Sequence, residues 1–176
     1  FGHANHLPGG ALCRCGKKGC LEAYLSDYAL VRAASHLPEN TDPGTIKAGV
    51  SGLARLIELA GSGDKDACNA FHDAGRVLGY GLARVIAMID PKRVVLTGAA
   101  MRAFSFMEKG MWEGLEEALV SDLRNNFSLD VMPWNEDFIR SGLIAQSMER
   151  LDKDFLGNAT PPSGRIARLD RKEATA

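Results

Sequence analysis

The sequence predicts an α/β domain, and three observations carry that prediction. Long stretches place apolar residues at helical spacing, the longest over 64–89, where Val77, Leu78, Leu82, Val85, Ile86 and Ile89 recur. Two short runs, Val94-Val95-Leu96 and Ser128 to Met132, have the length and β-branched content of strands. The first run passes through Thr97-Gly98-Ala99-Ala100 directly into another helical pattern, the strand–turn–helix succession of α/β proteins.

The elements follow in order. Ser26 and Asp27 can cap a helix that runs to about Ser35. Pro38 to Gly44 is a polar turn region. Thr45 to Ala60 reads as a second helix, with Ile46, Val50, Leu53, Leu56 and Ile57 on one face. Gly61-Ser62-Gly63-Asp64 stops it and caps the long helix from Asp64 to Ile89, which Asp90-Pro91 ends. Gly75, Gly79 and Gly81 lie inside that helix. Each costs about 1 kcal/mol relative to alanine, so they predict close approach of another backbone, a neighbouring helix or a partner subunit. Val94 to Leu96 is a buried strand, and a helical region follows to about Leu123. Ser128 to Met132 is a second strand and Ser141 to Leu151 a last helix. From Asp152 to Ala176 the pattern breaks, and Pro161-Pro162-Ser163-Gly164 with mixed charges reads as a solvated tail.

Composition bounds the function. The 176 residues are 45% hydrophobic and 24% charged, close to the globular average, which excludes whole-chain disorder and a disulfide-dense mini-scaffold. Lys plus Arg is 21 and Asp plus Glu 22, a net charge of -1. A strongly basic nucleic-acid binder is therefore excluded. No apolar run approaches the roughly 18 residues of a membrane span, and no charged and apolar leader opens the chain. The expectation is a cytoplasmic protein with no membrane partner. Phe1 in place of an initiator Met reads as a cut point, so part of a longer protein is expected.

The cysteines carry the most specific chemistry. Cys13, Cys15 and Cys20 fall within eight residues, while Cys68 stands alone in a helical pattern. Cys-x-Cys is too short for an unstrained disulfide, and crowded thiolates point to a metal. Tetrahedral zinc needs four ligands. His3 and His6, just upstream, compete for the fourth place. Gly16 and Gly19 let the backbone turn between ligands, and Lys17 and Lys18 put positive charge near the thiolates. Four protein ligands would make the site structural rather than catalytic.

Gly2-His3, then Cys13-Arg14-Cys15-Gly16-Lys17-Lys18-Gly19-Cys20-Leu21-Glu22, resembles the zinc signature of the ROK family. That family unites bacterial repressors and sugar kinases. The likeness weakens through the middle helices and strengthens at Ala74 to Gly79 and at Asp90 to Gly98, covering roughly residues 1–151. It implies the C-terminal lobe of an actin-like, hexokinase-like ATPase fold with a zinc loop at 3–20. A flexible tail at 152–176 would lie outside it, as would an N-terminal lobe and any DNA-binding domain. The resemblance assigns zinc to His3, Cys13, Cys15 and Cys20. It also gives His3 a contact with a sugar hydroxyl, gives Glu22 hydrogen bonds from sugar hydroxyls, and puts Gly98 at the nucleotide turn.

The family's further sugar-binding Glu, its phosphate loop and the Asp that acts as general base in its kinases would fall before Phe1. No catalytic residue is therefore expected in this chain. Family kinases usually show a Gly-Gly pair after the strand, and here the first position is Thr97. A β-branched residue narrows the approach of a nucleotide, so the resemblance favours a sugar-responsive transcriptional regulator, a homo-oligomer reaching DNA through another domain. The alternative is an ATP-dependent sugar kinase of glucokinase or N-acetylated amino sugar kinase type, which would need ATP and Mg²⁺.

Overall fold

The apolar stripe of 64–89 becomes the central helix of the first of two units in the computed structural model, which describes residues 1–132 and 135–156. By its helices and sheet, the chain is numbered from α1 (Glu22–Leu25), α2 (Asp27–Ala34) and α3 (Val50–Gly61) to the central α4 (Lys65–Ile89). Asp64 caps α4 through its carboxylate, which accepts the Ala67 N–H at 2.9 Å. Asp90 ends it in the left-handed conformation, φ 46°, immediately before Pro91. Phe71, Leu78, Leu82 and Ile86 on α4 are buried, and α1, α2 and α3 all touch this helix.

Strand β1 (Arg93–Leu96) leads through a 3₁₀ turn (Ala99–Ala103) into α5 (Phe104–Ala118) and α6 (Ser121–Arg124), and then to β2 (Ser128–Val131). The two strands pair in parallel, with Arg93 opposite Ser128 and Leu96 opposite Val131. A parallel pair needs such a helical crossover. The result is a mostly helical α/β unit with a small sheet.

Helix α5 lies on α4 through four glycines. A Cβ on Gly75 or Gly79 would land on the carbonyl oxygen of Met107 or Met111, and one on Gly110 or Gly114 on that of His72 or Arg76. The expected backbone approach at Gly75 and Gly79 is thus made by a neighbouring helix of the same chain, and Met107, Met111 and Leu115 fill the core beside it. Gly81 faces elsewhere, against Leu21 and the Phe1 ring. Polar pairs run along the edge of this seam: His72 Nε2 to Glu113 at 3.0 Å, Arg76 Nη2 to Glu117 at 2.8 Å, and the Tyr80 hydroxyl to Glu117 at 2.6 Å.

Several boundaries differ from the sequence reading. Helix α3 begins at Val50 rather than Thr45. Gly49, at φ 89°, takes a conformation that L side chains rarely adopt, and Asp42 turns the chain upstream by accepting the Gly44 N–H at 2.8 Å. Ser26 does precede α2, but its side chain makes no cap bond. Asp27 instead accepts the Tyr28 N–H at 2.7 Å. The helical region after β1 is broken at Leu119 and Val120, both extended. A separate unit holds α7 (Glu136–Leu156), which starts before and ends after the expected 141–151. The rest of the expected tail, 157–176, lies outside the described residues. Among the described residues no helix is long and apolar enough to cross a membrane.

Candidate functional site

The loop from His3 to Cys20 is built by backbone bonds that its glycines permit. Short antiparallel bridges join Asn5 to Cys20 and Leu12 to Lys18. Cys13 N–H donates to Lys17 O and Gly16 N–H to Cys13 O, both at 2.9 Å, closing the turn that carries Cys15. Gly19, at φ 80°, lies against Leu7: its carbonyl accepts the His6 N–H at 2.7 Å, and a Cβ there would collide with the Leu7 carbonyl. Beneath the loop Ala11, Cys13, Cys20 and Ala23 form a small buried cluster with Tyr24, whose hydroxyl accepts the Ala11 N–H at 2.9 Å.

This scaffold brings His3, Cys13, Cys15 and Cys20 together. One ligand atom from each lies within 4.8 Å of all the others. Cys15 Sγ and Cys20 Sγ are 3.7 Å apart, and Cys13 Sγ is 3.7 Å from His3 Nδ1. Two sulfurs bound to tetrahedral zinc at about 2.3 Å stand about 3.8 Å apart, the spacing of the Cys15–Cys20 pair, and the four residues together could hold a metal ion. His6, the competing ligand, is not in the group. Its ring stacks on Tyr80 at 5.7 Å and meets the edge of Tyr24 at 5.4 Å. Burial, and then the Arg84 charge, lowers its pKa. Cys68 is also apart, with its Sγ 3.5 Å from Ala60 O.

The thiols differ in character. Cys15 is exposed, and the Lys17 backbone N–H and then Cys13 lower its pKa, favouring the thiolate. Cys20 is buried, and burial followed by the Cys15 and Cys13 side chains raises its pKa to about 11. Metal uptake at neutral pH must therefore displace the Cys20 proton.

Glu22 opens α1 directly after the loop. Its N–H donates to Gly2 O at 2.7 Å, and its Oε2 stands 3.6 Å from His3 Nε2. His3 thus turns Nδ1 towards the sulfurs and Nε2 towards the carboxylate. The two side chains are 62% and 30% exposed, so the gap between them is open to a polar ligand.

Gly98 sits at the end of β1 at φ 124°, with Thr97 exposed beside it. Close to this turn lies a largely apolar cavity of about 500 Å³, which the sequence reading did not foresee. Leu53 and Ile57 of α3 line it with Asp27, Gly49, Ala100 and Arg102. The only signal in the sequence was Gly49 inside an apparent helix.

Known proteins match most of the chain. The ROK family profile matches residues 1–137. A glucokinase of Streptomyces coelicolor is 33% identical over 108 residues, covering 56% of this chain and 33% of that protein. A xylose repressor of Bacillus subtilis is 26% identical over 129 residues, covering 73% of this chain and 31% of that protein. A crystal structure of a ROK family glucokinase from Streptomyces griseus, in complex with glucose and AMPPNP, superposes with a TM-score of 0.56 at 28% identity, covering 76% of this chain and 45% of that one. The chain spans about a third of the length of the curated relatives it matches.

Proposed function

Because the chain belongs to the ROK family, we propose that it is the zinc-bearing, sugar-binding lobe of a sugar-responsive transcriptional regulator. The observation that carries this reading is the His3 ring, with one nitrogen towards three thiols and the other towards Glu22. Zinc at His3, Cys13, Cys15 and Cys20 would supply a fixed anchor, setting the imidazole plane and tying the loop to the start of α1. The chain's own groups do the rest. His3 Nε2 and the Glu22 carboxylate sit 3.6 Å apart, a spacing that lets neighbouring sugar hydroxyls bond to both. Carboxylates and polar rings that satisfy paired hydroxyls are the groups by which sites of this kind orient a sugar.

The proposed lobe covers residues 1–151, with the loop at 3–20. It belongs to an actin-like fold whose other lobe, together with a DNA-binding domain, lies elsewhere in the protein. Sugar binding would bring the lobes together and change the spacing of DNA-binding domains in a homo-oligomer. Thr97 favours the regulator: a β-branched side chain stands where family kinases present glycine to the nucleotide. The cavity lined by Ala100 and Arg102, which follow Gly98 in the chain, favours the second reading, an ATP-dependent sugar kinase using Mg²⁺.

Glu22→Ala tests the sugar site. In the full-length protein it should leave the melting temperature of the sugar-free form unchanged and weaken sugar binding by about 1–3 kcal/mol, the cost of leaving a buried polar partner unpaired. Isothermal titration with the sugar that gives the largest thermal shift measures this. Unchanged affinity would remove Glu22 from the site.

A further inference from the structure

The metal loop and the apolar cavity are separate sites, yet one short run of residues touches both. Tyr28 is fully buried directly under the Cys13-Arg14-Cys15 turn. Its hydroxyl accepts the Arg14 N–H at 3.3 Å. The Arg14 guanidinium lies 4.8 Å from the centre of the Tyr28 ring, and its Nη2 is 4.0 Å from Asp27 Oδ1.

Asp27 continues the connection. Its Oδ1 accepts the Tyr28 N–H at 2.7 Å, and its Oδ2 accepts the Gly49 N–H at 2.7 Å. Gly49, in its left-handed conformation, is the residue from which α3 starts, and Asp27, Gly49 and Val50 all line the cavity. A single carboxylate therefore holds the two walls of the cavity together, 22 residues apart in sequence.

We propose that Tyr28 and Asp27 form a strut through which the filled metal site holds the cavity wall at Gly49 in place. The inference rests on the metal reading of the loop and adds a second task to it. With the metal bound, the Cys13-Arg14-Cys15 turn is rigid, Tyr28 is clamped against it, and Asp27 is oriented to grip Gly49. Without the metal the turn loosens, and the grip on the start of α3 loosens with it. Tyr28 and Asp27 are positioning residues in this scheme. Neither needs to touch a ligand in either site.

The test is amide hydrogen exchange on the full-length protein, before and after removal of zinc by a chelator, with metal content measured first. The segment 45–53 reports the strut, and α5 at 104–118 is the internal reference. Zinc removal should speed exchange of 45–53 about tenfold and leave α5 unchanged, the signature of local rather than global opening. In Tyr28→Phe and in Asp27→Asn the zinc-dependent difference should shrink to within about twofold. If either variant fails to fold, fast exchange in α5 will reveal it, and the wild-type response then decides. The strut is overturned if 45–53 does not respond to zinc in the wild type, if α5 responds equally, or if the difference survives both substitutions. A full-length protein without zinc overturns the metal reading and the strut together, whereas a zinc-loaded protein with an unresponsive 45–53 overturns the strut alone.

Discussion

Cys13→Ser and Cys20→Ser should each abolish stoichiometric zinc binding and lower the melting temperature of the full-length protein by about 10 °C. The direction follows from the geometry. Both residues are buried, at 1% and 2% exposure, in a small cluster with Ala11 and Ala23 against which only Tyr24 packs. The loop is held by a few turns and bridges of backbone, so cross-linking by a metal would be its main source of rigidity. A serine hydroxyl is a poor zinc ligand and leaves three donors, too few for a closed tetrahedral site. Loss of a structural metal belongs to the small class of changes that cost on the order of 4 kcal/mol. At about 2–4 °C per kcal/mol for a domain of this size, that gives the stated shift. Metal analysis and a thermal scan check it together. A variant that kept one zinc per chain and its melting temperature would remove the metal site from this account.

The second large effect lies far from the loop. Gly79→Ala should destabilise the protein by about 3 kcal/mol, at the upper end for overpacking. The added Cβ would fall on the Met111 carbonyl oxygen, 2.6 Å from Leu115 N and 3.0 Å from Gly114 C. All three are backbone atoms of α5, so no side chain can swing aside. The helices must separate, and Met111 and Leu115, both fully buried, lose contacts. The helix-propensity gain of alanine over glycine, about 1 kcal/mol, is too small to reverse the sign. Gly61→Ala, where nothing stands within 4 Å of the new Cβ, is the matched control. Chemical denaturation of both variants gives the comparison. A Gly79→Ala protein as stable as the control would show that α4 and α5 do not meet backbone to backbone.

What the sequence made legible was local. The spacing of Cys13, Cys15 and Cys20 brought the metal cluster into view because ligands close in sequence must be close in space. α4 was legible from periodicity, the two strands from their short apolar runs, and Gly75 and Gly79 from their cost in a helix; β1 is not the buried strand expected, since Val95 is exposed. What remained hidden was set by contacts between distant residues. The start of α3 was misplaced because Ile46 continues the apolar pattern, whereas the actual break at Gly49 depends on its bond to Asp27. The partners of the α4 glycines, Gly110 and Gly114, gave no signal of their own, since only superposition of the two helices pairs them. His3 and His6 were equivalent as isolated residues. The structure separates them by placing His6 between two tyrosines. The cavity had no signature beyond Gly49 inside an apparent helix, because its walls come from segments that periodicity treats as independent.

The central claim is that this lobe binds a sugar without transferring phosphate to it. The direct measurement is ADP release by the full-length protein with Mg-ATP and a panel of hexoses and N-acetylated amino sugars, run beside thermal shift with the same sugars. The account predicts no sugar-dependent ADP release, together with a rise in melting temperature for at least one sugar. Sugar-dependent ADP release would contradict it and make this chain the zinc-bearing lobe of a kinase.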